Sequence, residues 1–131
     1  LKICEKNHIE ITEAEKCSPF LLHAKVGAYI AKEKYDIEDA EILDAIACHT
    51  TGKPAMTLLD KIIYISDYIE PMRSKASNLE EVRKMAFVDL DETLFKILSD
   101  TLVYLEKSSK KMDPMTMQTY EYYRAQRESA Q

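Results

Sequence analysis

An all-α domain is the fold this sequence predicts, on three observations. Apolar residues recur at the i, i+3, i+4, i+7 spacing of a helix face through most of the chain. The four prolines, Pro19, Pro54, Pro71 and Pro114, fall at the edges of those periodic stretches, where proline starts or stops a helix without breaking it. Nothing reads as a strand pair, and no internal repeat or low-complexity tract interrupts the pattern. At 131 residues, 46% hydrophobic and 31% charged, the chain has the size and composition of one globular domain built on a single core, spanning residues 1–131.

Each element follows from local signals. Ser18-Pro19 offers a cap followed by proline, and Leu22, His23, Val26, Gly27, Ile30 and Ala31 then share a face, which predicts a helix from about Phe20 to Lys34. Asp39, or Asp36 before it, opens a second helix from about Glu38 to His49. Ile42, Ala45, Ile46 and His49 lie on one side of it, and Thr51-Gly52 supplies a glycine near its end. The third, Thr57 to Glu70, carries Leu59, Ile62, Ile63, Ser66 and Ile69 on one side. Leu58, Ile65 and Tyr68 make it apolar nearly all round, the pattern of a central helix, and Pro71 ends it. Leu79 to Phe87 reads as a short helix opened by Ser77 or Asn78. Asp89 or Asp91 caps a long helix striped by Leu94, Leu98, Leu102 and Leu105. After a polar, basic break from Lys107 to Lys111, Asp113-Pro114 introduces a last helix, Met115 to Gln131, which bears Tyr120, Tyr122 and Tyr123 and is expected to fray at its end.

Charge and composition narrow the function. Eighteen Lys+Arg against 23 Asp+Glu leave a net charge of −5, so the chain has no long-range attraction for nucleic-acid polymers or anionic membranes. A phosphate-bearing ligand then has to be held by local cations or by metal. With only Gly27 and Gly52, the glycine-rich phosphate loops of Rossmann and P-loop proteins are excluded. Cys4, Cys17 and Cys48 are odd in number and show no C-x-x-C spacing, which argues against a disulfide framework or a zinc ribbon and suits a reducing cytoplasm. No apolar run approaches a membrane span, and charged residues interrupt Leu1-Lys2-Ile3-Cys4-Glu5-Lys6, so neither export nor insertion is expected.

Three polar residues stand where core side chains are expected. His23 lies one turn from Val26 and Gly27, His49 one turn from Ile46, and Asp67 follows Ile62-Ile63-Tyr64-Ile65-Ser66. A carboxylate on so apolar a helix is costly unless it meets a cation, a metal or several donors. Neutral imidazoles with an aspartate make a mixed nitrogen and oxygen ligand set for a transition metal, whereas satisfied core histidines are the simpler alternative. After His49, Thr50, Thr51, Gly52 and Lys53 bring hydroxyls and a cation to a helix end that can approach a phosphate; an ordinary glycine-terminated helix explains them equally. Past Asp67, Arg73 and Lys75 place two cations beyond a helix end, with Arg73 suited to a bidentate phosphate contact or to a solvated loop.

In combination these stretches resemble a family. Leu22-His23-Ala24 with Val26-Gly27-Ala28, then Ala45-Ile46 with His49-Thr50-Thr51-Gly52, then Ile63-Tyr64-Ile65-Ser66-Asp67-Tyr68-Ile69-Glu70-Pro71-Met72-Arg73, are similar to the HD-domain phosphohydrolases of YqeK type, the bacterial symmetrical dinucleoside tetraphosphatases. The likeness is close from Leu1 to about Lys75 and looser beyond. It implies an HD-domain helical bundle and a metal centre, usually of iron and with two ions, built from four histidines and two aspartates. His23, His49 and Asp67 match the last three of those six. The first histidine and the adjoining His-Asp pair belong upstream, and the chain contains no His-Asp dipeptide. His8, the remaining histidine, matches neither, so Leu1 reads as the middle of the family's domain, with its N-terminal part outside this sequence.

The resemblance implies hydrolysis of diadenosine tetraphosphate into two ADP. In that reaction Asp67 and His49 serve at the metal, Thr50, Thr51 and Gly52 orient a phosphate, and Lys53 and Arg73 balance its charge. Partners would be a dinucleoside polyphosphate and, as an open matter, a second copy of the chain. Two alternatives stay open: an HD phosphohydrolase acting on another nucleotide, and a non-catalytic helical module in which the two histidines and Asp67 form a buried polar network.

Overall fold

Capping side chains set the starts of most helices in the computed structural model, which describes all of residues 1–131. Eight α-helices and one 3₁₀ turn are present, with no strand: α1 (Lys2–Lys6), α2 (Glu13–Cys17), the 3₁₀ turn Pro19–Leu22, α3 (His23–Tyr35), α4 (Ala40–Ala47), α5 (Leu58–Tyr68), α6 (Leu79–Met85), α7 (Leu90–Lys107) and α8 (Pro114–Ala130). Asp39, Asp89 and Asp113 each accept a backbone N–H from the first turn of α4, α7 and α8. Thr12 with Glu15, and Thr57 with Asp60, form reciprocal capping boxes for α2 and α5. No helix is long and apolar enough to cross a membrane.

Several ends differ from the sequence reading. Ser18 makes no side-chain cap bond, and Pro19 opens a 3₁₀ turn, so the α-helix starts only at His23. Asp36 adopts a left-handed conformation (φ 54°) that closes α3 rather than opening α4. Asn78 makes no cap bond either, because its side chain joins Tyr68 to Asp100. The last helix continues to Ala130. Phe95 stacks on Tyr120 with ring centroids 5.8 Å apart, and Arg127 lies over Phe95 and pairs with Glu92, which ties the helix to α7.

The core is made by Met56, Tyr64, Ile65, Val82, Leu94, Ile97 and Leu98, where α5, α6 and α7 meet. Helix α4 packs on α3 and α5, and α8 packs on α7. Of the leucine stripe on α7, Leu94, Leu98 and Leu102 are buried. Helix α5 is not apolar on every side for burial's sake, as its sequence suggests. Asp60, Tyr64 and Ile65 face inward, while Leu58 is 65% exposed and Ile62 and Ile63 also reach solvent.

Candidate active site

His23 and His49 meet. The first residue of α3 and the residue two past the end of α4 bring their Nε2 atoms within 2.9 Å, with ring centroids 4.9 Å apart. Each Nδ1 stands 2.6 Å from a backbone carbonyl, that of Phe20 for His23 and that of Ile46 for His49. Only an Nδ1–H can satisfy those oxygens, which leaves the two Nε2 atoms facing each other, either bare or sharing one proton. Two lone pairs at that distance repel unless a cation sits between or beside them. Anchoring one ring nitrogen on a carbonyl is also how metal-ligating histidines are oriented. Two nitrogens about 2.1 Å from one ion and at right angles around it stand about 3.0 Å apart, so the pair fits adjacent ligand positions.

Asp67 is placed otherwise. Its Oδ2 accepts from Arg73 Nη2 at 3.0 Å, and its side chain is 42% exposed. No group of three or more His, Cys, Asp or Glu side chains converges on one point, so the three expected ligands are joined only in part. The expectation of buried positions also needs correction, since His23 is exposed and His49 and Asp67 are half-buried. The chemistry of Asp67 still fits a cation, because a positive group already faces its carboxylate. A metal thus fits the two imidazoles directly and Asp67 by charge.

The segment after His49 is clamped rather than loose. Gly52 has φ +70°, its N–H donates to Cys48 O at 2.8 Å, and a Cβ there would meet Thr119 Cγ2 at 2.8 Å. Thr51 Oγ1 donates to Gly52 O at 2.9 Å, and Met56 N–H donates to Tyr123 Oη at 2.8 Å. Thr50, Thr51, Gly52 and Lys53 line a cavity of about 270 Å³ that Asp44 and Glu15 also line. Lys53 does not stand free to meet a phosphate. Its Nζ lies 3.3 Å from Asp60 Oδ2 and 3.8 Å from Asp44 Oδ2. Burial works against the Lys53 charge, but Asp60 and Asp44 outweigh it and hold the ammonium above its ordinary range.

Two residues that the sequence reading passes over complete this picture. Asp60 is fully buried; its Oδ2 accepts from Thr57 N–H at 2.9 Å while Oδ1 has no hydrogen-bond partner. Burial and the Asp60 charge push the Cys48 thiol up to about 11. The T-x-x-D spacing of a capping box was the available signal for Asp60. Arg83 on α6 donates to the carbonyls of Ile69, Glu70 and Arg73 at 3.1, 2.8 and 2.9 Å, and so fixes the loop that presents Arg73. Nothing in its local sequence marks that role.

Comparison with known proteins identifies the family and the fold. The HD domain family model matches residues 3–72, which include His23, His49 and Asp67. The chain is 45% identical over 105 residues to the symmetrical bis(5'-nucleosyl)-tetraphosphatase of Bacillus subtilis, covering 80% of this chain and 56% of that protein. It is 37% identical over 105 residues to the protein of the same name from Staphylococcus aureus, covering 79% and 54%. The chain therefore spans about half the length of the curated relatives it matches. The crystal structure of a predicted HD superfamily hydrolase involved in NAD metabolism from Clostridium acetobutylicum superposes with a TM-score of 0.87 at 34% identity, covering 95% of this chain and 66% of that one. An all-helical bundle of the same shape, carrying its paired histidines within the matched segment, belongs to the HD-domain family.

Proposed function

We propose that this HD domain serves the metal-dependent hydrolysis of dinucleoside polyphosphates, splitting diadenosine tetraphosphate symmetrically into two ADP. The observation that carries the reading is the His23–His49 pair, whose Nε2 atoms stand 2.9 Å apart while both Nδ1 atoms are held by carbonyls. The relatives named as symmetrical tetraphosphatases supply the substrate class.

In this reading His23, His49 and Asp67 hold a transition-metal centre, iron and two ions in number, which supplies Lewis acidity and water made nucleophilic near neutral pH. The carbonyls of Phe20 and Ile46 keep both imidazoles in the Nδ1–H form, so no tautomer change precedes ligation. Asp67, which faces the Arg73 guanidinium at 3.0 Å, would hold the metal with the histidines. Arg73, half-exposed beside it, would offer two parallel N–H groups to phosphate oxygens and stabilise charge that grows as the inner phosphate bond breaks. Thr50 and Thr51 orient a phosphate beside His49. Lys53 acts through Asp60, as a structural counter-ion, and not on substrate.

The test is product identity together with one substitution. Diadenosine tetraphosphate incubated with the metal-loaded protein should yield ADP alone, and AMP with ATP in equal amounts would contradict symmetrical cleavage. Arg73→Ala should lower kcat/KM about 10–100-fold with little change in helix content, since its side chain is half-exposed. Unchanged kcat and KM in that variant would remove Arg73 from the reaction.

A further inference from the structure

Beside Arg73 lies a cleft of about 350 Å³ bounded by Tyr68, Met72, Arg73, Lys75, Ala76 and Leu79. Its volume falls in the range of small-molecule clefts, about 300–1,000 Å³. Its walls are of two kinds. Tyr68, Met72, Ala76 and Leu79 are apolar surface, and Arg73 and Lys75 stand among them as cations. Leu79 is buried beneath, whereas Met72 is 86% exposed, a long polarisable side chain left in solvent.

The cleft is built rather than incidental. Tyr68 Oη donates to Asn78 Oδ1 at 2.7 Å, Asn78 Nδ2 donates to Asp100 Oδ2 at 2.7 Å, and Lys96 pairs with Asp100 at 3.1 Å, so the tyrosine ring is held by a chain of three partners. The opposite wall is an irregular loop, yet Arg83 bonds three of its carbonyls. Met72 N–H donates to Glu70 Oε1 at 2.7 Å, and Arg73 N–H to Glu70 O at 2.9 Å. A loop without helix or strand, bonded at this density, has a defined backbone path from which Met72 and Arg73 project.

We infer that this cleft receives one nucleoside end of the substrate, with the base against Tyr68 and Met72 and the adjoining phosphate on Arg73 and Lys75. The inference rests on the dinucleoside polyphosphate reading. An aromatic face beside a thioether suits a flat heterocycle, which stacks whatever its hydrogen-bonding edge. Arg73 then links the two parts of the site, because it bonds Asp67 and also lines the cleft. A substrate with a base in the cleft runs its phosphates past Arg73 toward Asp67.

The test follows methionine methyl resonances of the metal-free chain during titration with ADP, with Met72 assigned by its loss in Met72→Leu. ADP should shift the Met72 methyl saturably, and by clearly more than inorganic tripolyphosphate does at the same concentration; an equal shift would overturn the base assignment. Ala76→Leu, which fills the cleft, should weaken ADP binding about tenfold or more while the His23 and His49 ring resonances keep their positions. If Ala76→Leu disturbs the fold, the wild-type titration still decides. An ADP response at the histidines with none at Met72 would overturn the cleft assignment and leave the hydrolase reading standing. A Met72 response in a protein that releases no ADP from diadenosine tetraphosphate would uphold nucleotide binding in the cleft but overturn the substrate role assigned to it, together with the hydrolase reading on which that role rests. No response to ADP at any methionine or histidine would overturn the cleft.

Discussion

Asp60 is fully buried and its one ion-pair partner is Lys53, so truncating the lysine leaves an uncompensated charge inside the protein. Lys53→Ala should therefore destabilise by about 2–3 kcal/mol, less than the roughly 3–5 for a wholly buried pair because the Lys53 side chain stays partly exposed. Asp60→Asn keeps an oxygen for the Thr57 N–H and removes the charge, so adding it should recover much of that loss. Urea unfolding of the two single variants and the double variant reads the coupling, and strictly additive losses would show that the ion pair contributes nothing. The sequence places a cation next to His49 but cannot show that a carboxylate seven residues on claims it. That pairing depends on how the α4–α5 connection folds back over α5.

Element by element, the periodic helices, the short α6 among them, were legible, and the five-residue helices and context-dependent features were not. Helices α3, α4, α5, α7 and α8 appear within a few residues of their expected bounds because each repeats its apolar spacing over two turns or more. Helices α1 and α2 have five residues each, too few for a period to show, although Thr12-x-x-Glu15 already spelled the capping box. Which side of α5 is buried also escaped the sequence, since apolar residues surround it. Ile65→Ala should cost about 2–5 kcal/mol, whereas Leu58→Lys should stay within about 0.5 kcal/mol, as thermal unfolding of the two variants would show. Comparable losses would mean that both sides are packed. At the α4–α5 connection, Gly52→Ala should cost about 1–2 kcal/mol for the left-handed backbone and more for the contact with Thr119. Since that segment carries His49, the variant should also shift the His49 ring resonances in a spectrum of the folded protein. An unchanged stability and spectrum would show that the segment tolerates a Cβ.

For the whole molecule, the question is whether helices that pack for stability also bring the proposed metal ligands into one site. The sequence could nominate His23, His49 and Asp67 because each interrupts an apolar pattern, and the fold brings the two histidines together across α3 and α4. It leaves Asp67 on α5 with Arg73, an arrangement that depends on a loop six residues away and on Arg83 from α6. The central claim is that Asp67 belongs to the same metal centre as the histidines, and Asp67→Asn separates this from a purely structural role. The amide keeps the shape and removes the charge that balances the ion. Metal content by elemental analysis and ADP release from diadenosine tetraphosphate should be measured together on the complete wild-type protein and the variant. The account predicts that Asp67→Asn loses both metal and ADP release with only a modest change in helix content. Full metal content with undiminished ADP release in the variant would contradict it.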